Sequence, residues 1–372
     1  MKFYLIPLGN QRTKDIKPKV RGFILTIVIL LQLTCSSQDQ TLPIQTIDFL
    51  PKTKIVTSSS LKYSSGIRSI FEDSKGNIWL GSLKEGVCLF NGSTFSYFTV
   101  ENGLSNNQVL TIQEDRNGVI WFSTQNGVSS FDEGQMTNQT PNIVANAEHS
   151  WSKTEEDLWF DAGVKEGVYR YNGQQLDYLA FPKPKVINPN NLYAVTSLSK
   201  GKDNMLWIGT YAGVFGYNGR DFTIINDETL GLNIYTAPLH IRSLLEDSKG
   251  RLWIGNNGIG VLLKEGDTTI NFSEKHNLIH PSSSRKGDPS LPGTLEHVFT
   301  IAEDSNGNIW FGDRDTGIWK YDGKTMVNYT SVDGQKNDFP LSIYTDKNGA
   351  LWFGMADGNV YKFDGETFEK QS

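Results

Sequence analysis

His240 and His297 share one repeat position, thirteen residues ahead of Trp253 and Trp310. Arg68 and Arg242 share another, eleven residues ahead of Trp79 and Trp253. These residue types act on anions and protons. A guanidinium forks onto a carboxylate or an acidic sugar, and an imidazole serves as a base or as a metal ligand. Two histidines make half a metal site, and no carboxylate ligand accompanies them at a fixed spacing, so neither metal nor cofactor is expected. Trp151 lies outside the column of repeated tryptophans and is the ring to test against a ligand. The sequence shows no nucleophile motif, phosphate loop or catalytic pair, and no catalytic residue is assigned. Asp-Ser-Asn-Gly-Asn at 304–308 lacks the bidentate Glu of a calcium loop and reads as a plain turn.

What must position these groups is a repeat. Trp79, Trp121, Trp159, Trp207, Trp253, Trp310 and Trp352 head seven copies of one plan. Each begins with a β-rich run such as Ile67-Arg68-Ser69-Ile70, then an Asp-x-x-Gly turn, then the Trp strand. A short strand ending in an aromatic follows, then Asn-Gly or Asp-Gly, a hairpin signal, and a fourth strand. A period near forty with four short strands per copy predicts an all-β fold, a seven-bladed β-propeller of four-stranded antiparallel blades. The third copy is worn, with Lys153 and Glu156 at the turn's Asp and Gly positions. The seven tryptophans read as inter-blade core rather than a glycan platform. Val56 to Ile70 aligns on Phe98 to Ile112, so Thr53–Thr57 is expected to close the ring as the outer strand of the last blade, beside Thr367–Lys370.

The remaining sequence bounds the setting. A net charge of −6 without a basic stripe argues against nucleic acid. Residues 1–35 combine Lys14, Lys17, Lys19 and Arg21 with an apolar run, Phe23 to Leu33, too short to span a bilayer. They read as a secretory signal. Cys35 stands where a bacterial lipoprotein signal carries its lipidated cysteine, although Gln32 and Thr34 depart from the usual box. The expected protein is therefore exported, periplasmic or anchored by lipid on Cys35, with a linker at 36–52 and the propeller over 53–372. Membrane contact is expected only through that lipid. Cys88 reads as a small buried hydrophobe.

Within the propeller, the Asp-x-x-Gly and Asn-Gly turns are short and alike, and share one face. The connections on the other face vary widely, among them Glu101–Gln108, Phe181–Leu192, Asn226–His240 and Ser273–His297. Variable loops on a rigid scaffold are where binding sits, which puts any ligand there.

The repeat resembles that of the two-component regulator propellers, best over Ile67–Phe95, Ile241–Gly260 and Val298–Asn328. That resemblance implies an extracytoplasmic sensing module with an oligosaccharide or other small ligand, or an envelope signalling protein, as partner. No kinase or response-regulator segment accompanies the propeller here. The leading expectation is thus a non-enzymatic binder, sensor or signalling accessory. Two alternatives are a propeller lyase using His240 or His297 as base or in a metal site at the channel mouth, and an envelope docking scaffold.

Overall fold

The structure, a computed structural model, describes residues 54–145, 151–182, 192–232, 238–332, 335–336 and 339–371. The expected signal, the linker and Cys35 lie outside them. No helix among the described residues is long and apolar enough to cross a membrane.

Seven sheets form the blades, six of them antiparallel throughout. Blade 1 runs Ile67–Glu72, Ile78–Ser82, Val87–Phe90 and Phe95–Phe98, from inner to outer strand. Five later blades repeat that order, with inner strands Val109–Glu114 (blade 2), Val195–Lys200 (4), Ile241–Glu246 (5), Val298–Glu303 (6) and Pro340–Thr345 (7). Blade 3 differs. Its antiparallel strands are Leu158–Asp161, Gly167–Tyr171 and Leu176–Ala180, with Ile143–Ala145 pairing in parallel on the outer edge. Among the described residues no strand lies on the channel side of Leu158–Asp161, and that strand itself packs against the inner strands of blades 2 and 4.

The tryptophans hold the ring as expected. Each heads an apolar cluster shared with the following blade: Trp79 with Ile112 and Phe122, Trp253 with Val298 and Phe311, Trp352 with Ile67 and Leu80. Asp-x-x-Gly turns add a pin. The Asp247 carboxylate accepts from its own turn at Lys249 N (2.9 Å) and from the indole N–H of Trp253 (2.8 Å). The same indole bond recurs at Asp73, Asp115, Asp304 and Asp346. The Asp thus fixes both the turn and the buried Trp, and in the 304–308 turn it leaves no carboxylate oxygen over for a calcium ion. Cys88 is buried, and that burial pushes its thiol up to about 12.

Closure departs from expectation. Val56–Ser58 pairs antiparallel with Phe95–Phe98, Val56 opposite Tyr97, as a fifth strand on blade 1 and not on the last blade. Blade 7 supplies its own outer strand, Phe368–Lys370. Tyr97 explains the choice of edge: its hydroxyl accepts from Lys62 N (2.8 Å) and donates to the Ser60 carbonyl (3.2 Å), tying the incoming chain to blade 1. Blades 7 and 1 are joined by side chains instead. The Glu72 carboxylate accepts from Lys347 N (2.7 Å), Lys347 Nζ donates to the Asp73 carbonyl (2.6 Å), and Ser342 Oγ donates to the Ile67 carbonyl (2.8 Å). Glu114 and Glu303 clasp the preceding turn in the same way, through Ser74 and Ser248. With Val56 61% exposed, little apolar surface is at stake in the extra strand. Deleting residues 1–58 should therefore cost no more than about 1 kcal/mol by urea denaturation; collapse of the fold on that deletion would show that the strand closes the ring after all.

Candidate functional site

The channel is shaped by one backbone device used six times. In each described inner strand the pairing register shifts across one residue: 68, 110, 196, 242, 299 and 341. A β-bulge re-aims a side chain out of the ladder. Here the bulge residues are Arg68, Leu110, Thr196, Arg242, Phe299 and Leu341, and all six line the channel. They form a throat between an outer chamber of about 380 Å³ and an inner one of about 250 Å³. Leu83, Gln125, Gly163 and Tyr211 bring the second-to-third-strand turns to the outer chamber, and Gln108, Leu192 and Phe339 bring the blade-to-blade connections. The chamber therefore opens on the variable-loop face.

Two sequence candidates meet in the throat. Arg68 reaches from blade 1 to blade 4, where its Nη2 donates to the Thr196 carbonyl (3.2 Å). Arg242, on blade 5, lays its guanidinium over the Phe299 ring, 4.2 Å from the centroid, and donates from Nη1 to the Tyr211 hydroxyl (3.3 Å). Burial holds the Arg242 guanidinium below its ordinary value; Tyr211 opposes this and the charge of Arg68 adds to it. Cationic character is thus concentrated where water is scarce, and an anion there would meet forked donors.

Asp161, which sequence reasoning missed, is the third charged group of the throat. Two residues after the blade tryptophan stand Gly81, Ser123, Asp161, Gly209, Gly255, Gly312 and Gly354. Glycine is required where an inner strand passes close by. A Cβ at Gly255 would lie 2.3 Å from Ser243 Oγ and 2.9 Å from the Val298 carbonyl oxygen. Blade 3 carries a carboxylate at this place, 6% exposed. Burial pushes the Asp161 carboxyl up to about 7, against the opposing pull of the Gly163 N–H (2.7 Å) and of Arg68. The signal was available: a single acidic break in a column of small residues.

The other candidates fall elsewhere. His240 and His297 are brought together, but by Asn257 rather than by the channel. His240 Nδ1 meets Asn257 Nδ2 (3.4 Å) and His297 Nδ1 meets Asn257 Oδ1 (2.9 Å). His297 is 1% exposed, and its Nε2 donates to the Asp288 carbonyl (2.6 Å), so both ring nitrogens are engaged. His240 packs edge-on against Tyr211 behind Arg242. Burial, Arg242 and His297 push its imidazole down to about 4, so it is neutral at pH 7. The expected ring of two His and two Arg is therefore corrected to two Arg and one Asp, because the long loop before His297 folds back and covers it. Trp151 also takes a structural place. Its ring stacks on Trp159 and Phe181, meets Tyr217 and Phe222 edge-on, and its N–H donates to the Ala180 carbonyl (2.9 Å). Among the described residues no group of three His, Cys, Asp or Glu could hold a metal ion.

Residues 64–84, 103–126, 237–258 and 293–315 match the family model described as two component regulator propeller. These four stretches carry the two component regulator propeller repeat. The matched stretches of the repeat fall in blades 1, 2, 5 and 6 and include Arg68 and Arg242. No curated protein matches the sequence. Solved structures do. The extracellular domain of the hybrid two component system BT3049 from B. thetaiotaomicron superposes with a TM-score of 0.61 at 20% identity, over 83% of this chain and 40% of that one. The extracellular domain of the one component system BT4673 from the same organism gives 0.59 at 20%, over 84% and 40%. Virginiamycin B lyase from Staphylococcus aureus gives 0.59 at 16%, over 83% and 98%. This chain thus spans 40% of the length of the two extracellular domains. At these identities the likeness concerns the fold.

Proposed function

We propose that this propeller is an exported ligand-binding module of an envelope sensing system, and that its ligand enters the channel from the variable-loop face. The observation that carries this reading is the throat itself: six bulge residues and Asp161 converge below an open chamber of about 380 Å³. A binding site is a concave space with a few converging polar groups, and this one has them. Likeness in fold to extracellular domains of two component systems supports the sensing role, and the resemblance of the repeat implies an oligosaccharide as ligand class. Export and a lipid anchor on Cys35 follow the character of residues 1–35.

A thermal-shift panel of neutral and uronic-acid oligosaccharides tests the reading. A ligand present at about 100 times its Kd stabilises the folded state by about 2.7 kcal/mol, enough for a clear rise in Tm. No rise with any member, at concentrations well into the millimolar range, would count against a sugar ligand. The lyase alternative is better carried by Asp161 than by either histidine, since Asp161 lines the channel and neither histidine does, and both His297 nitrogens are occupied; turnover lost in Asp161→Asn would favour it.

A further inference from the structure

We propose that the throat binds an anionic group, carboxylate or sulfate, on Arg68 and Arg242, with Asp161 as the resident counter-charge that sets how tightly it is held. This rests on the reading above and narrows its ligand class.

Three observations carry it. First, the half-buried guanidiniums of Arg68 and Arg242, from blades 1 and 5, share the throat with one carboxylate among the described residues, which leaves an excess of positive charge there. Second, polar atoms of two residues that line the inner chamber have no partner among the described residues: Thr196 Oγ1, on a residue 8% exposed, and Arg242 Nε. Buried donors of this kind ordinarily have partners, and together they match an oxyanion, which takes several donors at once. Third, Asp161 stands where five of the other blades have glycine, so its carboxylate sits against the anion's place.

The groups facing Asp161 are few. Arg68 faces it across the channel, and Tyr169 on the neighbouring strand of blade 3 interacts with it. The strands of blades 2 and 4 packed against it present Leu110, Thr111, Val195 and Thr196, none titratable, and Arg242 and Tyr211 complete the wall. An anion bound beside Asp161 raises its proton affinity further. Binding is therefore tightest when Asp161 is protonated, and it weakens as pH rises above about 7.

Calorimetric titration of the full chain with sodium sulfate and with glucuronate tests this, since neither probe titrates near neutrality. Affinity should fall about five- to tenfold from about pH 6 to about pH 8. Asp161→Asn should abolish that slope and bind at pH 8 at least as tightly as the unaltered chain does at pH 6. Arg68→Gln or Arg242→Gln should weaken both probes at least about tenfold. The two probes separate a sulfated from a uronic ligand. No binding of either anion, a slope that survives in Asp161→Asn, or full affinity in both arginine variants would overturn the proposal. The slope is read on the unaltered chain, so a variant that fails to fold does not remove the test. A neutral oligosaccharide that binds when neither anion does would sink this inference and leave the broader reading standing.

Discussion

Gly255→Asp is expected to destabilise the propeller by roughly 3–5 kcal/mol, while Asp161→Gly at the equivalent place in blade 3 should change stability by less than about 1 kcal/mol near neutral pH. The asymmetry follows from what lies opposite each residue. At Gly255 the first side-chain atom would meet Ser243 Oγ at 2.3 Å and the Val298 carbonyl oxygen at 2.9 Å. Ser243 can turn, but the Val298 backbone belongs to the inner strand of the next blade and cannot yield without opening the ring. The remaining carboxylate would then be buried with no donor set aside for it. Asp161 faces the throat instead, and its loss removes one bond from Gly163 N together with a carboxyl that burial already disfavours.

The sign of the second effect depends on pH. Because the Asp161 carboxyl is raised in the folded protein, its ionised form costs stability above the unfolded value of about 3.9. That cost is complete once pH passes about 7. The balance should therefore move in favour of Asp161→Gly as pH rises from about 5 to about 8. Urea midpoints for both variants at two pH values measure this. Equal destabilisation by the two substitutions would mean that blade 3 is built like the others.

Much of the architecture was legible because it is local and repeated. The Trp column, the Asp-x-x-Gly turn and the Asn-Gly hairpins each encode structure within a few residues, and seven copies in phase leave little choice of fold. Bulges at 68 and 242 were also half-visible, since Arg68 and Arg242 stand in one column. Closure was not legible. Alignment shows that residues around 56–58 have the character of an outer strand, but any free outer edge satisfies that pattern, and the tie to Tyr97 that selects blade 1 is a contact across thirty-five residues. His297 illustrates the same limit. Its column predicted the channel mouth, whereas its place is set by the Asp288 carbonyl and Asn257, from the long preceding loop and the neighbouring blade. Asp161 was legible in principle, as the one acidic residue in a column of small ones, in a copy that Lys153 and Glu156 already set apart.

The largest functional effect is expected from closing the throat. Leu110 is the bulge residue of blade 2 and lines both chambers, so its side chain points into the channel without supporting a neighbouring blade's core. A Trp there adds a large ring to the space between Arg68 and Asp161 while leaving the charged groups in place. The decisive measurement is calorimetric titration of Leu110→Trp with the tightest ligand from the oligosaccharide panel, alongside its melting temperature. The account predicts affinity lowered at least about a hundredfold, with Tm within a few degrees of the unaltered chain. A folded Leu110→Trp that binds with undiminished affinity would place the ligand outside the channel and contradict the account.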